Sequence, residues 1–156
     1  MTARTAALPP FQVLLDSYKD DVHRFLVGIV GADADDCFQE TFLAALRAYP
    51  ALSNGRNLKS WLLTIAHRKA IDRHRARRTS APLDAAPEPS VAPADPDPAL
   101  WAEVAALPDK QRAAVVLRFV NDMAYRDIGV VLDCSEEAAR RSTHEGVKRL
   151  REVIER

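Results

Sequence analysis

Residues 79–98 constrain the fold more than any other stretch, since they hold six of the chain's ten prolines and four acids, with no Lys, Arg or Gly. Proline fixes φ and removes a backbone donor, so this segment is expected to be an extended linker and not part of a core. The 156-residue chain then divides into two modules, each small enough to bury only a modest core and to gain from a partner. Hydrophobic residues make up 47% and aromatics 6%, with five Gly, which suits packed helices, and strand-type alternation is absent. The expected fold is all-α: two small helical domains, at 1–78 and 99–156, joined by a proline-rich flexible linker at 79–98. The C-terminal domain is expected to be a helix-turn-helix.

In the first module, Phe11, Leu14, Leu15, Tyr18, Val22, Phe25, Leu26 and Ile29 recur at the three-and-four spacing of a helix with one buried face. Gly31 stops that helix. Asp33 stands where an N-cap belongs, ahead of a second stripe made by Phe38, Phe42, Ala45, Leu46 and Tyr49. After a break around Pro50 and Gly55, Leu58, Trp61, Leu62, Ile65 and Ala66 form a third stripe that runs directly into a cationic tail.

The whole chain is formally neutral, with 22 basic and 22 acidic side chains, yet its charge is not evenly spread. Between residues 53 and 80 stand Arg56, Lys59, Arg68, Lys69, Arg73, Arg75, Arg77 and Arg78 against one acid, Asp72. A helix anchored at one end and presenting arginines at the other can lie along phosphates, each neutralised phosphate releasing counterions. Trp61 invites a stacking role, but it falls beside Leu58, Leu62 and Ile65 and is read as core.

The second module opens at residue 98 or 99, passes Trp101 and Val104, and restarts at Pro108 with Ala113, Val116, Leu117 and Val120 facing inward. Asn121 and Asp122 interrupt it. A short helix at 124–132, the turn Asp133, Cys134 and Ser135, and a long helix from Glu136 then have the layout of a helix-turn-helix. Ser135 can cap the second helix, Gly129 allows close approach, and Asp133 sits where a left-handed backbone is needed. The exposed half of that second helix offers Ser135, Glu136, Glu137, Arg140, Arg141, His144 and Lys148 to base edges and phosphates. The two glutamates suit the helix dipole but repel phosphate, so any contact they make should be with a base donor. Gly146 reads as a weak point, since a helix-interior Gly costs about 1 kcal/mol relative to Ala. On this segment alone, a plain helical hairpin with a solvated face explains the pattern equally well.

Catalytic readings find little support. Of His23, His67, His74 and His144, only His67 and His74 share a helix face, and no carboxylate or cysteine completes a ligand set around them. There is no phosphate-binding glycine loop and no nucleophile elbow, so neither catalysis nor a metal or other cofactor is expected. Cys37 and Cys134 lie far apart without a paired-cysteine motif, and no signal peptide or membrane-length apolar run is evident. A soluble cytoplasmic protein without membrane insertion is expected.

Taken together, DADDCFQETFLAALRAY (33–49), NLKSWLLTIAHRKAIDRHRARR (57–78), LPDKQRAAVVLRFVNDMAYRDIGVVLDCS (107–135) and the helix that follows resemble the extracytoplasmic-function sigma factors of bacterial RNA polymerase. These belong to the sigma-70 family and keep only its second and fourth conserved regions. The resemblance implies that Asp36, Gln39, Glu40 and Leu43 dock on the coiled-coil clamp of the polymerase's largest subunit. It implies that Arg56, Asn57, Lys59, Ser60, Thr64, His67, Arg68 and Asp72 meet the melted minus-ten element, where a base is flipped out. Arg73, Arg75, Arg77 and Arg78 are then expected to hold phosphates, and the second module's helix to read the minus-thirty-five element. The chain departs from the family pattern at Asp133, where Gly is usual, and in the more acidic recognition helix EEAARRSTHEGVKRL.

Implied partners are core RNA polymerase, promoter DNA both duplex and melted, and an anti-sigma factor. The linker is expected to thread the polymerase cleft; at about 3.1 Å per residue it spans roughly 60 Å. The main alternative is a stand-alone helix-turn-helix transcriptional regulator that dimerises through the first module. A third reading is a protein-interaction module that mimics such a factor without recognising DNA.

Overall fold

The computed structural model describes residues 8–52, 57–80 and 98–155, with the backbone alone described at 78–80. Arg56, the side chain of Arg78 and the linker segment 81–97 lie outside the described residues. All regular structure among the described residues is helical.

Helix α1 (Phe11–Val30) ends at Gly31, whose φ of 57° is the left-handed turn that only Gly adopts without strain. One 3₁₀ turn leads to α2 (Ala34–Ala48), and a second, Tyr49–Ala51, follows it. Asp33 occupies the N-cap position of α2 but makes no capping hydrogen bond. Its carboxylate turns instead to Arg77, near the far end of α3 (Leu58–Ser80). Asn57 opens α3 with φ 57°, and its carbonyl accepts from the Trp61 amide. The helix continues through Thr79 and Ser80, two residues past the expected boundary of the first module.

These three helices pack on one another around Leu14, Val22, Phe25, Leu26, Leu62 and Leu63. The inner face of α2 differs from the expected stripe. Ala34, Cys37, Thr41, Phe42 and Ala45 are buried, whereas Leu46 is half exposed. Small residues let α2 approach its neighbours closely, and Thr41 satisfies its hydroxyl on the Cys37 carbonyl. Burial raises the Cys37 thiol above its ordinary range, the nearby Arg73 opposing this in part, so the thiol stays protonated at neutral pH. Trp61 packs beside Tyr49, ring centroids 6.1 Å apart, consistent with a core role.

The second module comprises α4 (Pro98–Ala105), α5 (Asp109–Phe119), α6 (Tyr125–Leu132) and α7 (Glu136–Ile154). The turn between α6 and α7 obeys the local rules of a helix-turn-helix. Asp133 is left-handed (φ 55°, ψ 51°), and Ser135 accepts from the Ala138 amide at 3.0 Å. A Cβ on Gly129 would stand 2.6 Å from the Cys134 carbonyl. Gly146 proves to be a packing necessity and not a weak point: a Cβ there would meet the Val115 side chain at 2.6 Å, where α7 crosses α5.

The two modules also pack together. α4 and α5 lie on α1, and α6 lies on α3. Gly28 marks a close approach, since a Cβ there would meet Val116 at 3.1 Å and Trp101 at 3.2 Å. Asn121, only 1% exposed, donates its side-chain amide to the Asp21 carbonyl at 2.8 Å. Its own carbonyl accepts from Lys59 at 2.9 Å, and Lys59 pairs with the Asp21 carboxylate at 3.8 Å.

Candidate polymerase-docking and nucleic-acid interfaces

Helix α2 turns Asp36, Gln39, Glu40 and Leu43 outward together, because positions three and four apart share a helix face. All four are exposed, and half-exposed Leu46 adjoins Leu43 to give the acidic face an apolar end. Sequence spacing assigns Leu46 to the buried stripe, and the structure overturns that by leaving it 51% exposed.

Helix α3 distributes its predicted DNA residues over several environments. Arg68, Asp72, Arg75 and Arg77 are exposed, as is Asn57 at its start. Ser60 is 2% exposed, and Lys59 is engaged with Asn121 and Asp21. The Thr64 hydroxyl bonds back to the Ser60 carbonyl within the helix. His67 lies edge-on to Phe25 at 6.4 Å. Burial lowers its pKa below the ordinary imidazole value, with Asp109 opposing that shift and Arg68 adding to it. Further along, His74 meets Arg112 of α5 at 3.4 Å. Lys59, through Asn121, and His74, through Arg112, therefore face the second module.

The cationic end of α3 faces α2. Arg73 reaches Asp36 and Glu40, each at 3.6 Å, and Arg77 forks onto both oxygens of Asp33 at 2.7 and 2.8 Å. The structure thus brings together residues that the sequence assigned to two separate tasks.

On α7, Ser135, Glu136, Glu137, Arg140, Arg141, His144 and Lys148 are all exposed on the side away from the core. A residue overlooked in the sequence organises part of this surface. The Tyr125 ring carries the Arg118 guanidinium at 4.4 Å and the Arg140 guanidinium at 5.0 Å, with His144 edge-on at 6.3 Å. Arg140 also pairs with Glu136 at 3.8 Å. An aromatic at the start of the first helix of the motif was the available signal. Among the described residues, no group of His, Cys, Asp or Glu is placed to hold a metal, and no helix is long and apolar enough to cross a membrane.

The described residues thus form two helical modules, the first with an outward acidic helix face beside an arginine-rich helix, the second a helix-turn-helix whose second helix is exposed. Residues 14–79 match Sigma-70 region 2, and residues 98–150 match Sigma-70, region 4. The chain is 34% identical to the RNA polymerase sigma factor CarQ of Myxococcus xanthus, over 97% of this chain and 92% of that one. It is 25% identical to the ECF RNA polymerase sigma factor SigW of Bacillus subtilis, over 92% and 88%. In fold it is similar to the sigma factor RpoE of Bartonella quintana, solved with the anti-sigma factor NepR. That match has a TM-score of 0.82 at 21% identity and covers 93% of this chain and 96% of that one. The chain belongs to the extracytoplasmic-function group of the sigma-70 family. It is an RNA polymerase sigma factor, a non-enzymatic subunit that binds core polymerase and promoter DNA and directs transcription initiation.

Proposed function

We propose that the polymerase-docking surface is the face of α2 bearing Asp36, Gln39, Glu40 and Leu43, seated on the clamp of the largest subunit. The observation that carries this is their common exposure on one helix face, with apolar Leu46 continuing it. Asn57, Lys59, Ser60, Thr64, His67, Arg68 and Asp72, with Arg56, then meet the melted minus-ten element, while Arg75 and Arg78 hold phosphates. Ser135, Glu136, Glu137, Arg140, Arg141, His144 and Lys148 read the minus-thirty-five element in the major groove. The functional modules are then 1–80 and 98–156, since α3 runs through Ser80 and α4 begins at Pro98.

In this reading the modules part on the promoter, because α6 packs on α3, the loop before α6 engages Lys59, and the two elements lie about two duplex turns, roughly 70 Å, apart. The proline-rich segment is the tether that permits it. Because the similar RpoE was solved with an anti-sigma factor, an inhibitory protein partner is proposed here too, and the cytoplasm as the site of action.

In vitro transcription with core polymerase on a fragmented genome, with start sites sequenced, tests the whole reading. A shared upstream pair of elements is expected; random starts would refute it. Asp36→Lys with Glu40→Lys should weaken core binding at least about tenfold in titration with labelled factor. Undiminished binding would remove the docking assignment.

A further inference from the structure

The arginines at the end of α3 do not form one class. Arg77 donates in a fork to both oxygens of Asp33, whose side chain is only 15% exposed with the guanidinium in place. Arg73 stands between Asp36 and Glu40 at equal distance and also contacts the Cys37 thiol. Asp36 and Glu40 are four residues apart on one helix, where like charges repel; a guanidinium set between them offsets that repulsion and draws both side chains toward one side. Asp33, which makes no capping bond to the α2 backbone, instead ties the start of α2 to α3 through Arg77.

We infer that Arg73 and Arg77 are positioning residues for polymerase docking, holding the acidic face of α2 in its presented geometry, and are not phosphate contacts. The inference rests on the docking role proposed above for Asp36 and Glu40. It divides the basic tail in two. Arg68, exposed on α3, remains on the DNA side. Arg73 and Arg77 act through the carboxylates they hold. A phosphate, by contrast, would have to displace two carboxylates from Arg73 before binding it.

The full chain is titrated against core polymerase, and separately against nonspecific duplex DNA at several salt concentrations. Arg73→Gln is expected to weaken core binding about fivefold, near 1 kcal/mol, while leaving the salt dependence of DNA binding unchanged. Arg68→Gln should do the reverse, lowering the DNA salt slope by about one with core affinity intact. In a cycle with Asp36→Asn, the double variant should lose less than the sum of the two single losses, because the changes share the contact between Arg73 and Asp36. Arg73→Lys, whose single ammonium serves one carboxylate well, should lose about twofold, and it carries the test if the glutamine variant melts below assay temperature.

Wild-type core affinity in both Arg73 variants, with Asp36→Asn still impaired, overturns the positioning role and leaves docking standing. A reduced DNA salt slope in Arg73→Gln returns Arg73 to the phosphate class and also overturns it. If Asp36→Asn and Glu40→Gln both bind core normally, the docking assignment fails and the inference falls with it.

Discussion

The two helices assigned to promoter reading, α3 and α7, are presented in opposite ways. α7 packs only through its inner side, on α4, α5 and α6, and keeps its whole predicted reading face in solvent. α3 is enclosed by α1, α2 and α6, and its residues are largely spoken for: Ser60 buried, Lys59 latched to Asn121, Arg73 and Arg77 paired with α2. The contrast matches two tasks. A major groove accepts a helix that already protrudes, whereas capture of a base from an opened strand needs a walled site, and walls are built by neighbouring elements. On the proposed reading, α6 is the wall that leaves on the promoter.

Removing the reading face of α7 is the largest perturbation of this contrast. Arg140→Ala with Arg141→Ala should lower affinity for duplex carrying the upstream element by about 2–4 kcal/mol, measured by competition against scrambled duplex. Equal loss on both duplexes would move these arginines to backbone contacts and bring α7 closer in kind to α3.

A smaller effect is expected where the modules meet. Asn121→Ala deletes the bond to the Asp21 carbonyl and should loosen the packing by about 1 kcal/mol. Single-stranded DNA binding should then rise several-fold as α3 is uncovered, with duplex binding by α7 unchanged. A fall in single-strand binding would mean that the second module supports the α3 surface instead of masking it.

The smallest effect concerns pH. His67 is depressed by burial, so the folded state binds fewer protons than the unfolded state between the two pKa values. Its contribution is complete above the unfolded value of about 6.5 and declines as pH falls toward the folded one. Melting temperature should drop by a degree or two between pH 7.5 and 5.5, and His67→Gln should flatten that segment of the curve. An unchanged slope in the variant would place the acid sensitivity elsewhere.

What the chain disclosed by itself was whatever obeys local rules. The stop at Gly31, the left-handed Asp133, the Ser135 cap and the small residue at Gly129 each depend on a few neighbouring residues, and each appears as expected. The family resemblance carried the same two-module order, and it placed Asp36 to Leu43 on one outward face. Pairings between helices left no such trace. Arg77 and Asp33 are 44 positions apart, and nothing in either neighbourhood distinguishes an arginine bound for a carboxylate from one bound for a phosphate. Asn121 looked like a mere helix interruption, because its partner Asp21 lies 100 residues away. Gly146 was misjudged for the same reason: intrinsic propensity counts against it, and only the crossing of α5 and α7 reveals that no larger residue fits.

Tyr125 has a consequence for anyone who would re-engineer promoter choice. Its single ring seats Arg118 from α5 together with Arg140 and His144 from α7, so the orientation of the reading arginine is inherited from outside the helix that carries it. A transplanted α7 would arrive in a foreign scaffold without its seat. If Arg140 reads the promoter as proposed, its selectivity travels with three helices and not with α7 alone.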